Sequence, residues 1–323
     1  MSDSNSTATA PAAAAAVNYG PTIGVLLLGI FFNTYLYGLV TYQFISYYRA
    51  QFNDKFIIKF MVLFLFILDT FHSAAEIWMA WFYVVENYDN PAALLIGAWP
   101  LTFTPIGNSL ASFITQLYLG WRIWQLSKSN TLGGVLFVFA LAAFIMGVFC
   151  GVASWEIAYI PNFDAINNQV AGWLSLQVVT DTLVTGSLGS ILYRSRTGFK
   201  KTDSVINRLI RGAVQTGLFA VIFSLGDLVT FLKFPTTNLF GMFAVPIGRI
   251  YTNTLLDTLL SRQQLRSQLA GGAVNMDSMS GFSGGLSSGL SGGQQGHSIQ
   301  LDVRKNVEVV CDNESFDAKR APV

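Results

Sequence analysis

The chain has 323 residues, of which 52% are hydrophobic and only 11% are charged, whereas soluble domains carry about 25% charged residues. So few charges cannot cover the surface of a soluble fold, and the composition therefore indicates a protein that has lipid as its solvent. The net charge of +1 argues against a nucleic-acid role, since phosphate binding requires a dense basic patch. The two cysteines, Cys150 and Cys311, predict neither a structural disulfide nor a metal cluster.

The chain begins with a polar, alanine-rich segment, residues 1–20. It has no basic region and its alanine run is short, so it does not resemble a signal peptide. We interpret it as a disordered, uncleaved extracellular tail. Asn5 opens the triplet Asn-Ser-Thr, which is a candidate glycosylation site on that side of the membrane.

Residues 21–266 contain seven apolar stretches, each near the roughly 20 residues that a spanning helix needs. The sequence therefore predicts an all-α membrane protein with a bundle of seven transmembrane helices. The expected spans are Pro21–Tyr48, Phe56–Val85, Thr102–Arg122, Thr131–Trp155, Val170–Tyr193, Ile210–Leu232 and Asn238–Leu260.

Positive charges alternate between the connections and predict the orientation, because cytoplasmic loops are enriched in Lys and Arg. The N-terminal tail and the second and fourth loops have none, and the sixth has only Lys233. The first, third and fifth loops and the C-terminal side hold Arg49, Lys55, Lys59, Arg122, Lys128, Arg194, Arg196, Lys200, Lys201, Arg208, Arg211, Arg262 and Arg266. We expect the N-terminus outside and the C-terminus in the cytosol.

The end of the chain changes character after the seventh span. Residues 267–323 are rich in Gly and Ser and predict a disordered cytosolic tail. Between span and tail, residues 255–269 place leucines among Arg262 and Arg266. This segment is either an amphipathic helix on the inner leaflet or a cytosolic extension of the seventh helix.

Ionisable residues at membrane depth are costly, so they usually face the bundle interior and have partners. The second span carries Asp69, His72 and Glu76 at helical spacings of three and four, which places them on one face. The remaining candidates for a ligand or ion pocket lie in the fifth, sixth and seventh spans and are Asp181, Asp227 and Arg249.

The helical rise of about 1.5 Å per residue puts Asp69, Asp181 and Arg249 each roughly 15–17 Å deep. We therefore predict an Asp69–Arg249–Asp181 cluster near the midplane, with His72 one turn further out and Asp227 and Glu76 in the outer third. The cluster either binds a solute or proton or simply holds the helices together. Pro246, which precedes Arg249, predicts a kink that either opens the backbone to a cavity or is a matter of packing.

Several kinds of site are not expected. The last span has no lysine for a retinal Schiff base, and the two histidines, His72 and His297, are too few for a zinc hydrolase. His72, Ser73 and Asp69 are neighbours on one helix and do not form a hydrolase triad. We predict neither an enzyme nor a metal or other cofactor.

Three stretches carry a family likeness: "TQLYLGWRIWQLSKSN" (115–130), "VQTGLFAVIFSLGDLVTF" (214–231) and "GRIYTNTLLDTLLSRQQLR" (248–266). Together with "LDTFH" (68–72) they resemble a fungal, mainly mushroom-type, family of seven-helix membrane proteins of unknown function, over about residues 20–266. Arg249, Thr254 and Leu260 stand where the family pattern leads us to expect lysine, serine and asparagine. Besides Asp69, His72 and Arg249, the resemblance marks Gln116, Arg122, Thr216, Gly217, Tyr251, Asn253 and Arg262.

Three functions fit these features. A receptor-like or sensory protein of the plasma membrane fits the predicted topology, the basic third inner loop and the serine-rich tail, with the bilayer and a cytosolic signalling protein as partners. A small-solute or proton-linked transporter would use the midplane charges. A non-signalling membrane scaffold would act through its tail. The sequence does not indicate a ligand or an oligomeric state.

Overall fold

A computed structural model describes residues 19–88, 90–157, 159–195, 200–234 and 237–269. Asn5 and nearly all of both predicted tails lie outside these residues. Seven α-helices run through the described part of the chain: α1 Val25–Arg49, α2 Phe56–Trp81, α3 Trp99–Ser127, α4 Asn130–Ile157, α5 Asn167–Arg194, α6 Lys200–Lys233 and α7 Leu239–Leu269. Each contains one of the predicted spans nearly whole.

The helix ends follow local sequence signals. A π-helical turn at Gly20–Gly24 directly precedes α1, and another at Phe82–Glu86 directly follows α2. Pro100 lies in the first turn of α3, where its missing N–H costs nothing. α3 ends at Ser127, and the next residue, Lys128, has the left-handed conformation with φ 52°. Short 3₁₀ helices follow α2 and α4, at Pro91–Leu95 and Ile160–Ile166.

Three helical segments are long and apolar enough to cross a bilayer, judged over the described residues: Gly20–Arg49, Phe56–Glu86 and Asn130–Ile157. The protein is therefore of the membrane type. The helices α3, α5 and α7 interrupt their apolar runs with buried polar side chains, for example Asn108, Gln177 and Arg249, which lowers their mean hydropathy. Seven spans and their orientation stay predictions.

The outside of the bundle is apolar, unlike the surface of a soluble protein, and the interior contains both apolar and polar side chains. Large apolar side chains such as Phe31 (65% exposed) and Val138 (62% exposed) cover the outside of the bundle, as lipid contact requires. Polar and charged side chains are buried inside, among them Asn33, Asp69, His72, Glu76, Asn108, Gln177, Asp181, Asp227 and Arg249. The polar interior is where a functional site is to be sought.

The helices follow one another around the bundle, and α7 closes the ring against α1. Two helices are central. α3 packs on α2, α4, α5 and α7, and α7 also packs on α1, α2 and α6. Residues on these two helices can therefore reach almost every other element.

The seventh helix continues without a break to Leu269. Of the two structures considered for residues 255–269, the extension of the seventh helix is thus the one observed. α6 begins at Lys200, ten residues before the span predicted from Ile210. Its basic first turns are helical, but they are too polar to lie in a bilayer core, so the predicted apolar span does not include them.

Two glycines four residues apart allow α4 to pack closely on α3. A Cβ at Gly151 would overlap Ile106, and a Cβ at Gly147 would lie 2.6 Å from Ser109 Cβ and from Trp173 Nε1. Such small-xxx-small pairs are a common device of membrane helix packing. The spacing is visible in "GVFCG" (147–151) and was missed in the sequence.

We expect Gly151→Ala to lower the free energy of unfolding by about 1–3 kcal/mol, the usual cost of overpacking. Gly134 lies on the same helix with open space around its Cα, so Gly134→Ala is the matched control and should be neutral or slightly stabilising. Thermal unfolding of both variants in the same detergent measures the difference. Equal melting temperatures would contradict the close approach.

Candidate functional site

Arg249 is fully buried on α7 and binds the polar face of α2. Its Nη1 lies 3.7 Å from Asp69 Oδ1 and donates to His72 Nδ1 at 2.8 Å. Its Nε and Nη2 donate to the Ser73 hydroxyl at 3.3 and 3.1 Å, and Nη2 also reaches the Asp69 carbonyl at 3.4 Å. Of the predicted cluster, Asp69 and Arg249 thus lie together, and His72, which was expected one turn further out, also contacts Arg249.

A chain of hydrogen bonds continues from this arginine toward α3. Because His72 Nδ1 accepts from Arg249, a neutral His72 carries its proton on Nε2. That nitrogen lies 3.0 Å from Glu76 Oε1 and 3.1 Å from Thr104 Oγ1. Thr104 in turn donates to Glu76 Oε1 at 3.0 Å. The run Arg249–His72–Glu76–Thr104 thus links α7, α2 and α3.

Asp181 forms a second centre of its own. Its Oδ2 accepts from Tyr251 at 2.5 Å and Ser224 at 3.1 Å, and its Oδ1 accepts from Gln116 at 2.9 Å and Gln177 at 3.2 Å. Four helices, α3, α5, α6 and α7, therefore meet at one carboxylate.

The predicted Asp69–Arg249–Asp181 cluster is wrong in this respect. Asp181 is compensated by neutral donors from four side chains, whereas Arg249 is turned to α2. Depth along the membrane normal was estimated from residue counts, and it does not say in which direction around its helix a side chain points. Tyr251, two residues after Arg249, reaches Asp181 instead.

Asp227 lines a cavity of about 60 Å³. Side chains of α3, α4, α5, α6 and α7 and of the 3₁₀ helix Ile160–Ile166 form its walls, including Thr104, Pro105, Asn108, Phe163, Val170, Trp173, Phe231, Phe240, Ala244 and Val245. Asp227 is only 3% exposed. Among the described residues, no hydrogen bond or ion pair reaches its carboxylate; only its main-chain carbonyl accepts, from Thr230.

Both interior prolines lie beside this cavity. Pro105 is in its wall, and Pro246 follows the wall residue Val245. Pro246 removes the helical donor for the Met242 carbonyl. Gly29 of α1 packs on that carbonyl so closely that a Cβ would lie 3.3 Å from it, and 2.9 Å from the Gly241 carbonyl. The cavity therefore lies where helical backbone bonding is interrupted.

Asn108 connects the cavity wall to α7. Its Nδ2 donates to the Ala244 carbonyl at 2.7 Å, while its Oδ1 has no partner among the described residues and lies against Gly248. A Cβ at Gly248 would approach that oxygen to 2.8 Å. The glycine thus permits α3 and α7 to meet at this level.

A cluster missed in the sequence lies at the opposite end of the bundle, on the α1–α2 loop. Arg262 donates to both oxygens of Asp54, at 2.8 and 2.7 Å, and its guanidinium lies 5.2 Å from the ring centroid of Phe52. Tyr47 donates to the same carboxylate at 2.9 Å. This bidentate pair ties the loop to α7. A loop aspartate next to a lysine gave no signal of it.

We expect acid to weaken this tie. Burial raises the pKa of Asp54, but the hydrogen bonds from Arg262 and Tyr47 outweigh it and hold the pKa below its ordinary value. A lowered folded-state pKa contributes stability that is present above about pH 4 and is lost as the pH falls through the folded value.

The melting temperatures of wild type and Asp54→Asn, measured in detergent from pH 7 downward, test this expectation. Wild type should be more stable at pH 7, by about 1 kcal/mol, and its advantage should shrink below about pH 4. Glu156→Gln, which changes an exposed acid, controls for overall charge. An advantage that persists in acid would contradict the role of the Asp54 carboxylate.

The other residues marked by the family resemblance have varied places. Gln116 and Tyr251 belong to the Asp181 centre. Asn253 Nδ2 donates to the Arg249 carbonyl at 2.8 Å and the Leu36 carbonyl at 3.4 Å, which joins α7 to α1. A Cβ at Gly217 would overlap Thr185, so α5 and α6 pack closely there.

Two of the residues marked by the family resemblance, Arg122 and Thr216, add little to the description of the site. Arg122 is half-buried near the end of α3. The side chain of Thr216 lies outside the described residues. Gln177 and Ser224 were missed, although Gln177 precedes Asp181 by one helical turn, a spacing that signals contact.

Comparison with known proteins gives one match. Residues 177–264 are similar to DUF6534, a family of unknown function. The matched segment is shorter than half of the chain and contains Asp181, Asp227, Arg249 and Tyr251. No curated protein matches the chain, and no solved structure does.

Proposed function

We propose that this protein is a seven-span, ligand-sensing membrane protein of the plasma membrane, with the N-terminus outside. The observation that supports a sensing role is the cavity beside Asp227, which five helices and the Ile160–Ile166 segment enclose. Convergent helices around a mostly apolar cavity with few polar groups are typical of small-molecule sites, and a volume of about 60 Å³ limits the ligand to a few non-hydrogen atoms. The alternation of Lys and Arg supports the orientation.

The cavity shares residues with the ties between helices. Thr104 lines it and donates to Glu76 on α2. Asn108 lines it and donates to the Ala244 carbonyl on α7. A ligand in the cavity contacts the same side chains that hold α3 to its neighbours, so its binding changes the free-energy balance between packings of α2, α3 and α7.

We propose that the protein passes its signal to a partner on the cytosolic side of the membrane. The fifth loop and the first turns of α6 carry the densest basic charge in the sequence, and the tail beyond α7 is rich in serine. We propose a cytosolic signalling protein as the partner of this surface. We also propose that the resemblance to the mushroom-type family reflects a fungal origin, and that the protein is not an enzyme. The Ser73 hydroxyl, next to His72, accepts hydrogen bonds from Arg249 and serves to hold α7 to α2.

A fluorescent reporter at the inner end of α6 tests the sensing role. We would attach it to Asn207→Cys, an exposed position, in a background with Cys150→Ala and Cys311→Ser, and screen a library of small molecules against the protein in lipid nanodiscs. Compounds that bind in the cavity are expected to change the fluorescence.

Two variants give the contrast. Ala244→Phe adds bulk to the cavity wall and should abolish the response, whereas Val138→Phe adds similar bulk at an exposed, lipid-type position and should leave it intact. A library that binds without moving the reporter would contradict the sensing role. If only deletion of residues 270–323 changed the behaviour of the protein in cells, a scaffold would be favoured instead.

The buried run Arg249–His72–Glu76–Thr104 favours a second candidate, a proton-linked transporter. Ionisable groups joined in the interior of a bundle are typical of proton pathways. Flux in proteoliposomes measures this, with wild type compared to folded Asp69→Asn and Arg249→Gln. Flux that vanishes in both variants would support transport, and its absence in wild type would remove this candidate.

A further inference from the structure

We infer that the cavity binds a small organic cation, with Asp227 as its counter-ion. The inference rests on the proposed role of the cavity as a ligand site and names the class of ligand. A protonated amine with a short apolar body fits both the carboxylate and the walls.

Asp227 differs from the other buried acids of the described bundle. Asp69 has Arg249, Asp181 has four donors, and Glu76 has Thr104 and His72. Only the Asp227 carboxylate is buried, faces a cavity and has no partner among the described residues. A buried charge without a partner is costly. A cation in the cavity would remove that cost.

The walls favour an organic cation over a metal ion. Ca²⁺ needs six to eight oxygen ligands and Mg²⁺ an octahedral set. Here the Thr104 hydroxyl is bonded to Glu76, and Asn108 Oδ1 is turned onto Gly248, so Asp227 would be left as nearly the sole ligand. A metal ion would keep an incomplete shell.

Aromatic rings supply the other attraction. Trp173, Phe163, Phe231 and Phe240 line the cavity, and the Phe231 and Phe240 rings meet edge to face with centroids 5.7 Å apart. The faces of such rings attract ammonium groups. One water-sized group needs roughly 10–15 Å³ of cavity, so about 60 Å³ accommodates an ammonium head with a few carbons.

Charged residues at the end of the bundle where the cavity lies complement a cation. The described helix ends and turns that follow α2, α4 and α6 carry two acids, Glu86 and Glu156, and one lysine, Lys233. A negative potential around a site raises the local concentration of cations.

Charged thiol reagents test the potential in the cavity without knowledge of the natural ligand. We would introduce Val170→Cys in the cavity wall, in the background lacking Cys150 and Cys311, and compare the reaction rates of a trimethylammonium and a sulfonate methanethiosulfonate. The cationic reagent should react faster by about tenfold, after correction for intrinsic rates. Asp227→Asn should remove the preference, and Glu156→Gln should largely keep it.

Protection by a ligand completes the experiment. n-Butylammonium should slow the reaction at Val170→Cys, and its neutral counterpart n-butanol should not. Asp227→Asn should lose this protection, and Asp227→Glu, which keeps the charge, should retain it in part. Monodisperse elution in detergent confirms first that each variant is folded.

The outcomes separate this inference from the proposed function. Equal rates for the two reagents, an unchanged preference in Asp227→Asn, or equal protection by butanol would overturn the cation assignment while the sensing role stands. Protection by the ammonium without any change of the Asn207→Cys reporter would support the cation site and contradict sensing.

Discussion

Arg249→Gln is expected to lower the free energy of unfolding by about 3–5 kcal/mol, the typical cost of removing one partner from a buried ion pair. The reason is Asp69, which is 1% exposed and has this arginine as its charged partner. The change also removes the guanidinium N–H groups that donate to His72 and Ser73. The measurement is the melting temperature in detergent, together with the fraction of protein that elutes as a monodisperse peak.

The double variant Asp69→Asn/Arg249→Gln separates charge from packing. If the penalty of the single change comes from an uncompensated carboxylate, the double variant should be more stable than Arg249→Gln alone. If the stability loss of the double variant equals the sum of the losses of the two single variants, the two side chains are not coupled. That result would contradict the ion pair.

Asp181→Ala is expected to have an effect of similar size. It removes the acceptor of hydrogen bonds from Tyr251, Ser224, Gln116 and Gln177. Each buried donor that loses its acceptor costs about 1–3 kcal/mol. Gln177 keeps one bond after the change, because it also donates to the Tyr251 hydroxyl. A total loss of about 3 kcal/mol or more should appear in thermal unfolding.

Tyr251→Phe is the graded control for this centre. It removes one hydrogen bond to the Asp181 carboxylate, worth about 1.5–3 kcal/mol when one partner is charged, and the weaker neutral bond that the Tyr251 hydroxyl accepts from Gln177. Asp181→Ala should therefore be clearly less stable than Tyr251→Phe. If the two variants have the same melting temperature, Asp181 contributes through Tyr251 alone, and the description of the four-helix centre is wrong.

The helices could be predicted because each apolar run is about as long as a bilayer core requires and is bounded by charged or turn-forming residues. α4, with no charged residue between its first turn and Glu156, is the clearest example. The extent of α6 and α7 beyond the apolar region could not be predicted, because basic and polar residues form helices as readily as they form loops. Only packing and helix continuity decide.

The candidate site was predictable to the extent that helical periodicity determines it. The spacing of Asp69, His72 and Glu76 placed them on one inward face, which is the face Arg249 meets. The partners of Asp181 were beyond reach, since residue counts give depth along a helix and not rotation about it. The cavity beside Asp227 depends on five helices at once, and no local pattern encodes such a void.

The uninterrupted course of α7 has a mechanical consequence. From Pro246 to Leu269 the helix extends about 35 Å, and Val245 at its near end is part of the cavity wall. Because a helix is stiff, a tilt of about 10° at the proline would carry the far end about 6 Å sideways. A pivot at this proline would therefore move the far end of α7 further than the cavity wall, and it would displace Arg262 from Asp54.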